Sequence, residues 1–142
     1  MNPLETWWFD AILSAIFAAL TTIFAKVGVG NINANLATAI RILVILPMIW
    51  GIVLFQGQVR DLATISLKPL FFLILSGIAT GLSWLFYFQA LQKGEASRVA
   101  PIDKSSLALV LLFSALFLGE PLTVRSLFGV ALIIGGTLVI IL

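Results

Sequence analysis

The side chains of this chain that can do chemistry are few, and they gather in one stretch. Gly94 to Lys104 reads Gly-Glu-Ala-Ser-Arg-Val-Ala-Pro-Ile-Asp-Lys, with almost wholly apolar sequence on either side. Asp103 and Lys104 lead directly into an apolar run. At the head of a membrane helix each such charge costs about 2.5–3.5 kcal/mol even on a lenient insertion scale. A helix cap, an ion pair or a water-filled solute path must offset that cost. Arg41 poses the same question, lying about 8 Å inside an apolar run at ~1.5 Å of rise per residue.

Other chemistries lack their residues. The chain has no histidine and no cysteine, so imidazole bases, thiolate nucleophiles and the softer metal ligands are missing. A Ser–His pair is impossible. A carboxylate dyad needs two acids in one site, yet Asp10 and Asp103 belong at opposite membrane faces. The reading is of a non-enzyme with no cofactor and no metal. A net charge of +2 without a clustered basic face gives no sign of a nucleic-acid partner.

The elements that must position these groups follow from composition. Of 142 residues, 61% are hydrophobic and 10% charged, against about 25% charged in soluble domains. That balance describes an integral membrane protein, with the lipid bilayer as its solvent. About 20 apolar residues cross a bilayer, and five runs predict an all-α chain with spans near 7–29, 36–55, 69–92, 99–118 and 122–142. Met1 to Phe9 offers Glu5 and two tryptophans instead of a basic leader region, so the first run reads as a retained span. Trp7, Trp8 and Phe9 sit where an aromatic belt belongs.

Small residues recur every fourth position in the first run. Ala11, Ala15 and Ala19 form one row, and Ser14, Ala18 and Thr22 the next, a pattern that lets helix backbones approach closely. Gly77 and Gly81 offer the same spacing in the third run, and both sets are expected to pack helices. Pro47 interrupts the second run, and Pro69 opens the third where proline is well tolerated. Between them Val59, Leu62 and Ile65 recur at three-residue spacing, which predicts a short surface turn of helix. Trp84, Phe86, Tyr87 and Phe88 crowd the end of the third run as packing and belt residues or as a cavity lining. Gly119-Glu120-Pro121 makes the last two spans antiparallel neighbours.

Five spans place the two termini on opposite sides of the membrane. Arg60, Lys68 and Arg125 then face Lys26, Lys93 and Arg98, three cations against three. Positive-inside bias therefore favours neither orientation, which suits a chain that inserts both ways and pairs with its own inverted copy. Adding the deeper Arg41 and Lys104 tilts the count.

Ala90 to Lys104, Leu116 to Thr123 (Leu-Phe-Leu-Gly-Glu-Pro-Leu-Thr) and Gly129 to Leu138 together resemble the EamA-type domain of the drug/metabolite transporter superfamily. Asn35 to Arg41 and Thr80 to Trp84 fit the same pattern. The resemblance implies a five-helix unit that is half of a ten-helix inverted-repeat transporter in the cell membrane. It implies an inverted partner, either a second copy or a homologue, around a central cavity for a small-molecule metabolite. It also implies that the first four helices line the path and the fifth is peripheral.

On that frame Lys26, Arg41, Asp103 and Lys104 all lie near one membrane face. Arg41 is an anchor that snorkels to the interface or a cation facing a cavity. Asp103 is a first-turn carboxylate near Pro101, favoured by the helix dipole, or a cavity residue that carries a coupling proton. Neighbouring helix residues point about 100° apart, so Asp103 and Lys104 are not expected to face one surface or to pair well. A cation is disfavoured at a helix start, which makes Lys104 a functional candidate. Arg41, Trp84, Tyr87, Asp103 and Lys104 are thus the expected substrate path for a polar, anionic or zwitterionic metabolite. A non-transporting assembly subunit is one alternative. A small proton-coupled multidrug antiporter is another, weakened by the lack of any acid beyond Asp10 in the first span.

Overall fold

The protein is described here from a computed structural model that covers residues 7–142; Glu5, part of the leader argument, lies outside them. Among the described residues there is no strand, and five helices are long and apolar enough to cross a membrane. The chain is thus an all-α, multi-pass membrane protein. Helix α1 is Trp7–Val29, α2 is Ala34–Phe55 and α3 is Leu67–Lys93. The fourth span, Ala96–Leu118, consists of α4 (Ala96–Lys104), α5 (Ser106–Phe113) and a closing π turn, Ser114–Leu118. Helix α6 is Val124–Ile141.

Local signals set most of the boundaries. Asn33 caps α2, its Oδ1 accepting the Asn35 N–H at 2.9 Å. Thr123 and Ser126 form a reciprocal capping box at α6, each side chain accepting the other's backbone N–H at 3.1 Å. Helix α2 runs unbroken through Pro47. A 3-10 turn at Gln58–Thr64 fills the long connection, as the three-residue spacing predicts. Pro69 is the third residue of α3, two later than expected, but its missing N–H would have had no helical partner there either.

The largest departure from expectation is at the fourth span. It opens at Ala96, with Glu95 as its extended N-cap residue, and not near Val99 or Pro101. Hydropathy marks where lipid begins, whereas polar residues can extend a helix beyond it. Pro101 is therefore interior, and it deprives the Ser97 carbonyl of its usual donor. Asp103 and Lys104 end α4 instead of starting a helix. The first-turn reading of Asp103 lapses, and Lys104 lies within the fourth span, where α4 runs through a helical Ser105 into α5. The objection to a cation at a helix start has no force here.

Just beyond them the ladder tightens. The Ser105 N–H reaches the carbonyls of Pro101 at 3.2 Å and Ile102 at 3.1 Å, and the Ala108 N–H reaches Ser105 at 3.0 Å. The Ser105 hydroxyl donates to the Ile102 carbonyl at 2.6 Å.

The described chain falls into two compact units. One contains residues 7–26 with Lys93–Leu142, where α4 and α5 pack on α6. Lys26 donates to the Gly94 carbonyl at 2.8 Å. Buried Thr137 on α6 donates to Ile133 at 2.8 Å and to the Pro101 carbonyl at 3.3 Å. The other unit is Val27–Gln92. Its buried residues, Val29, Ala34, Ala37, Thr38, Phe88 and Leu91, come from the end of α1, the start of α2 and the end of α3. Gln92 donates to the Ile32 carbonyl beside them.

Most large apolar side chains are exposed, Phe17, Leu43, Phe72 and Val139 among them, as expected of helices dissolved in hydrocarbon. There the hydrophobic effect does not drive helices together, so van der Waals contact and bonds of about 0.6 kcal/mol each must do so. The chain reverses at Gly119, whose φ is 71°. Gly119→Ala should cost about 1 kcal/mol because a Cβ is strained in that region. Gly129→Ala, in a helix with open space around it, should cost nothing. Unfolding of both variants in mixed micelles checks the difference.

Candidate functional site

In the first unit, α1 and α4 border a cleft of about 550 Å³. Four-residue spacing brings Ala11, Ala15 and Ala19 to one side of it, with Ser14, Ala18 and Thr22 adjoining. On α4, Ala96, Ser97, Ala100 and Lys104 line the facing side, Ala100 standing four and three residues after the adjacent Ala96 and Ser97 and four before Lys104. The Thr22 hydroxyl donates to the Ala18 carbonyl of its own helix at 3.0 Å. Lys104 is the one charged group among the described residues that line the cleft.

Lys104 pairs with its neighbour Asp103, Nζ to Oδ2 at 3.3 Å. The two do meet, but at a long distance, in keeping with the expectation that they would not pair well. The long lysine stem bends across the gap between neighbouring helix positions. The pair is weak: the side chains are 59% and 37% exposed, and exposed pairs contribute about 0–1 kcal/mol.

In the second unit, α2 and α3 border another cleft, of about 410 Å³, with Ile42, Leu46, Gly77, Gly81 and Trp84 on its walls. The Arg41 guanidinium lies 4.4 Å from the Trp84 ring centre and 5.0 Å from that of Phe88. Such stacking offsets part of the cost of a half-buried cation. Tyr87, half-buried, follows three residues after Trp84 on α3.

The small-residue rows assigned to helix packing occupy cleft walls. Ala11, Ala15 and Ala19 face one cleft, Gly77 and Gly81 the other, and a Cβ built at either glycine meets nothing within 4 Å. Ser97 on the first cleft was not anticipated, because its helix was expected to start after it, and Ala100 was not singled out. Phe88 was grouped with general packing aromatics. Its four-residue spacing from Trp84 is the signal that ties it to Arg41. Among the described residues no three His, Cys, Asp or Glu side chains cluster as metal ligands would.

Five membrane-length helices, with Lys104 on the wall of one cleft and Arg41 stacked on Trp84 of the other, define a multi-pass helical membrane protein. The chain belongs to the EamA-like transporter family, whose pattern matches residues 6–142. It is 52% identical over 136 residues to a Sinorhizobium protein named "uncharacterized transporter in cobO 3'region", with 96% of each chain covered. An uncharacterized protein of Methanocaldococcus jannaschii is 29% identical over 135 residues, 91% of each. No solved structure matches significantly.

The stacking of Arg41 is measurable. A double-mutant cycle of Arg41→Gln and Trp84→Leu, read by unfolding in mixed micelles, should give a coupling of about 0.5–2 kcal/mol. A value near zero would make the two positions independent.

Proposed function

We propose that the chain is a secondary transporter for a small polar metabolite and works in the cell membrane as one half of an inverted pair. The observation that carries the reading is the α1–α4 cleft. A lysine inside an apolar span is placed at a cavity wall, where a solute or water can solvate it. Family membership and a relative named as a transporter support carriage over catalysis. That relative is matched over 96% of its length, so a protein of that name carries about one such unit.

The inverted partner is a second copy of the chain in the opposite orientation, and alternating access exposes the clefts to each side in turn. The division of the six outer cations, three against three in the sequence, supports it, because those six favour neither orientation; only the deeper Arg41 and Lys104 tilt the count. Inverted repeats around a midplane site are a general transporter plan. Arg41, held over Trp84 and Phe88, is assigned to the wall of the path along with Tyr87.

Purified protein in liposomes should exchange labelled polar metabolites across the bilayer, and Lys104→Gln should lower the rate at least tenfold. Unchanged flux in that variant counts against the assignment. Tags at both termini of cell-expressed protein should each be accessible from both membrane faces, in roughly equal populations. A single orientation would leave the carrier without its mate.

A further inference from the structure

We infer that the Asp103 carboxylate is a built-in stand-in for the carboxylate of a solute at Lys104, so that the α1–α4 cleft takes monoanions with a small apolar body. The inference rests on the carrier reading above and names the class of solute for that site. The cleft wall is mostly alanine methyl groups, and its single charged group is the Lys104 ammonium. Methyl walls suit an apolar body. One cation suits one negative charge, while an ammonium-bearing solute would meet like charge there.

Asp103 is not among the cleft-lining residues, yet its Oδ2 lies 3.3 Å from Lys104 Nζ. Charge-assisted bonds usually measure about 2.7–2.9 Å, so this one is long. It joins neighbouring residues that point about 100° apart on the helix, which forces the lysine stem to reach across. An ammonium has three donors, and Asp103 takes one of them poorly. The empty site is therefore neutralised by a carboxylate that a better-placed one can displace. The hydroxyls of Ser97, Ser14 and Thr22 are the other polar side-chain groups on the cleft wall. Asp103 thereby sets affinity without touching the solute, as a positioning residue for Lys104.

The two charges then have opposite effects, which a structural ion pair would not show. Binding of isovalerate and of its uncharged amide is measured by calorimetry on protein in nanodiscs, with empty nanodiscs as the blank. Asp103→Asn, which removes the internal competitor, should tighten isovalerate binding by up to about fivefold, the range of an exposed ion pair. Lys104→Gln should weaken it at least tenfold, and Lys104→Arg should restore most of it. Ala15→Leu, which fills the cleft, should abolish it, and the amide should not bind. Weaker binding in Asp103→Asn, equal binding of acid and amide, or no binding to either the unaltered protein or Asp103→Asn overturns the inference. Protein that shows the expected pattern yet carries nothing across liposomes fails the carrier reading alone. Protein that carries other solutes but shows the opposite sign fails this inference alone.

Discussion

The constraint on which this structure depends is that hydrocarbon offers no hydrogen bonds to a backbone. Every N–H and C=O inside the membrane must find a partner within the protein, which is why the described spans are helical from end to end. The departures from a plain ladder are correspondingly few. Where a helix must end or tighten, a side chain or an altered rung supplies the missing bond. Asn33 does so at α2, Thr123 and Ser126 at α6, and Ser105 inside the fourth span. At the π turn one carbonyl, that of Ser114, is still used beyond Gly119, by the Glu120 N–H at 3.2 Å.

The same scarcity of partners explains where the charges stand. A cation in an apolar helix needs an acceptor or a polarisable face. Lys26 has the Gly94 carbonyl, Arg41 has two aromatic rings and Lys104 has a neighbouring carboxylate. These solutions differ in how firmly they hold. A carbonyl at 2.8 Å and a pair of rings fix their cations in place, whereas an exposed contact between sequence neighbours leaves Lys104 open to exchange. Among the three, the loosely held one lies on a cleft wall.

Much of the fold was legible because hydropathy over twenty residues is a strong signal. Five spans follow from it, whereas the short helix in the long connection follows from three-residue spacing and the family resemblance from particular residue motifs. The start of the fourth span was not legible, and the reason is physical. Glu95, Ser97 and Arg98 lower the hydropathy there, but polarity does not stop a helix, and Pro101 suggested a beginning where it marks an interior defect. That displacement misread Asp103 as a first-turn residue and hid Ser97. The partners of Arg41 were half legible, since Trp84 and Phe88 share a helix face. The placing of the small-residue rows on cleft walls was not legible at all. Small side chains permit close approach of a helix, and they equally leave room for a cavity; spacing does not distinguish the two.

The proline within α4 has one more consequence. Its absent N–H weakens the helix on the side where the Ser97 carbonyl lies, and Ser97 and Lys104 both border the α1–α4 cleft. The bending stiffness of this span is therefore unequal around its axis. It yields most readily in the direction that spreads the faulted face, so thermal flexing there acts on the width of the cleft more than on its length.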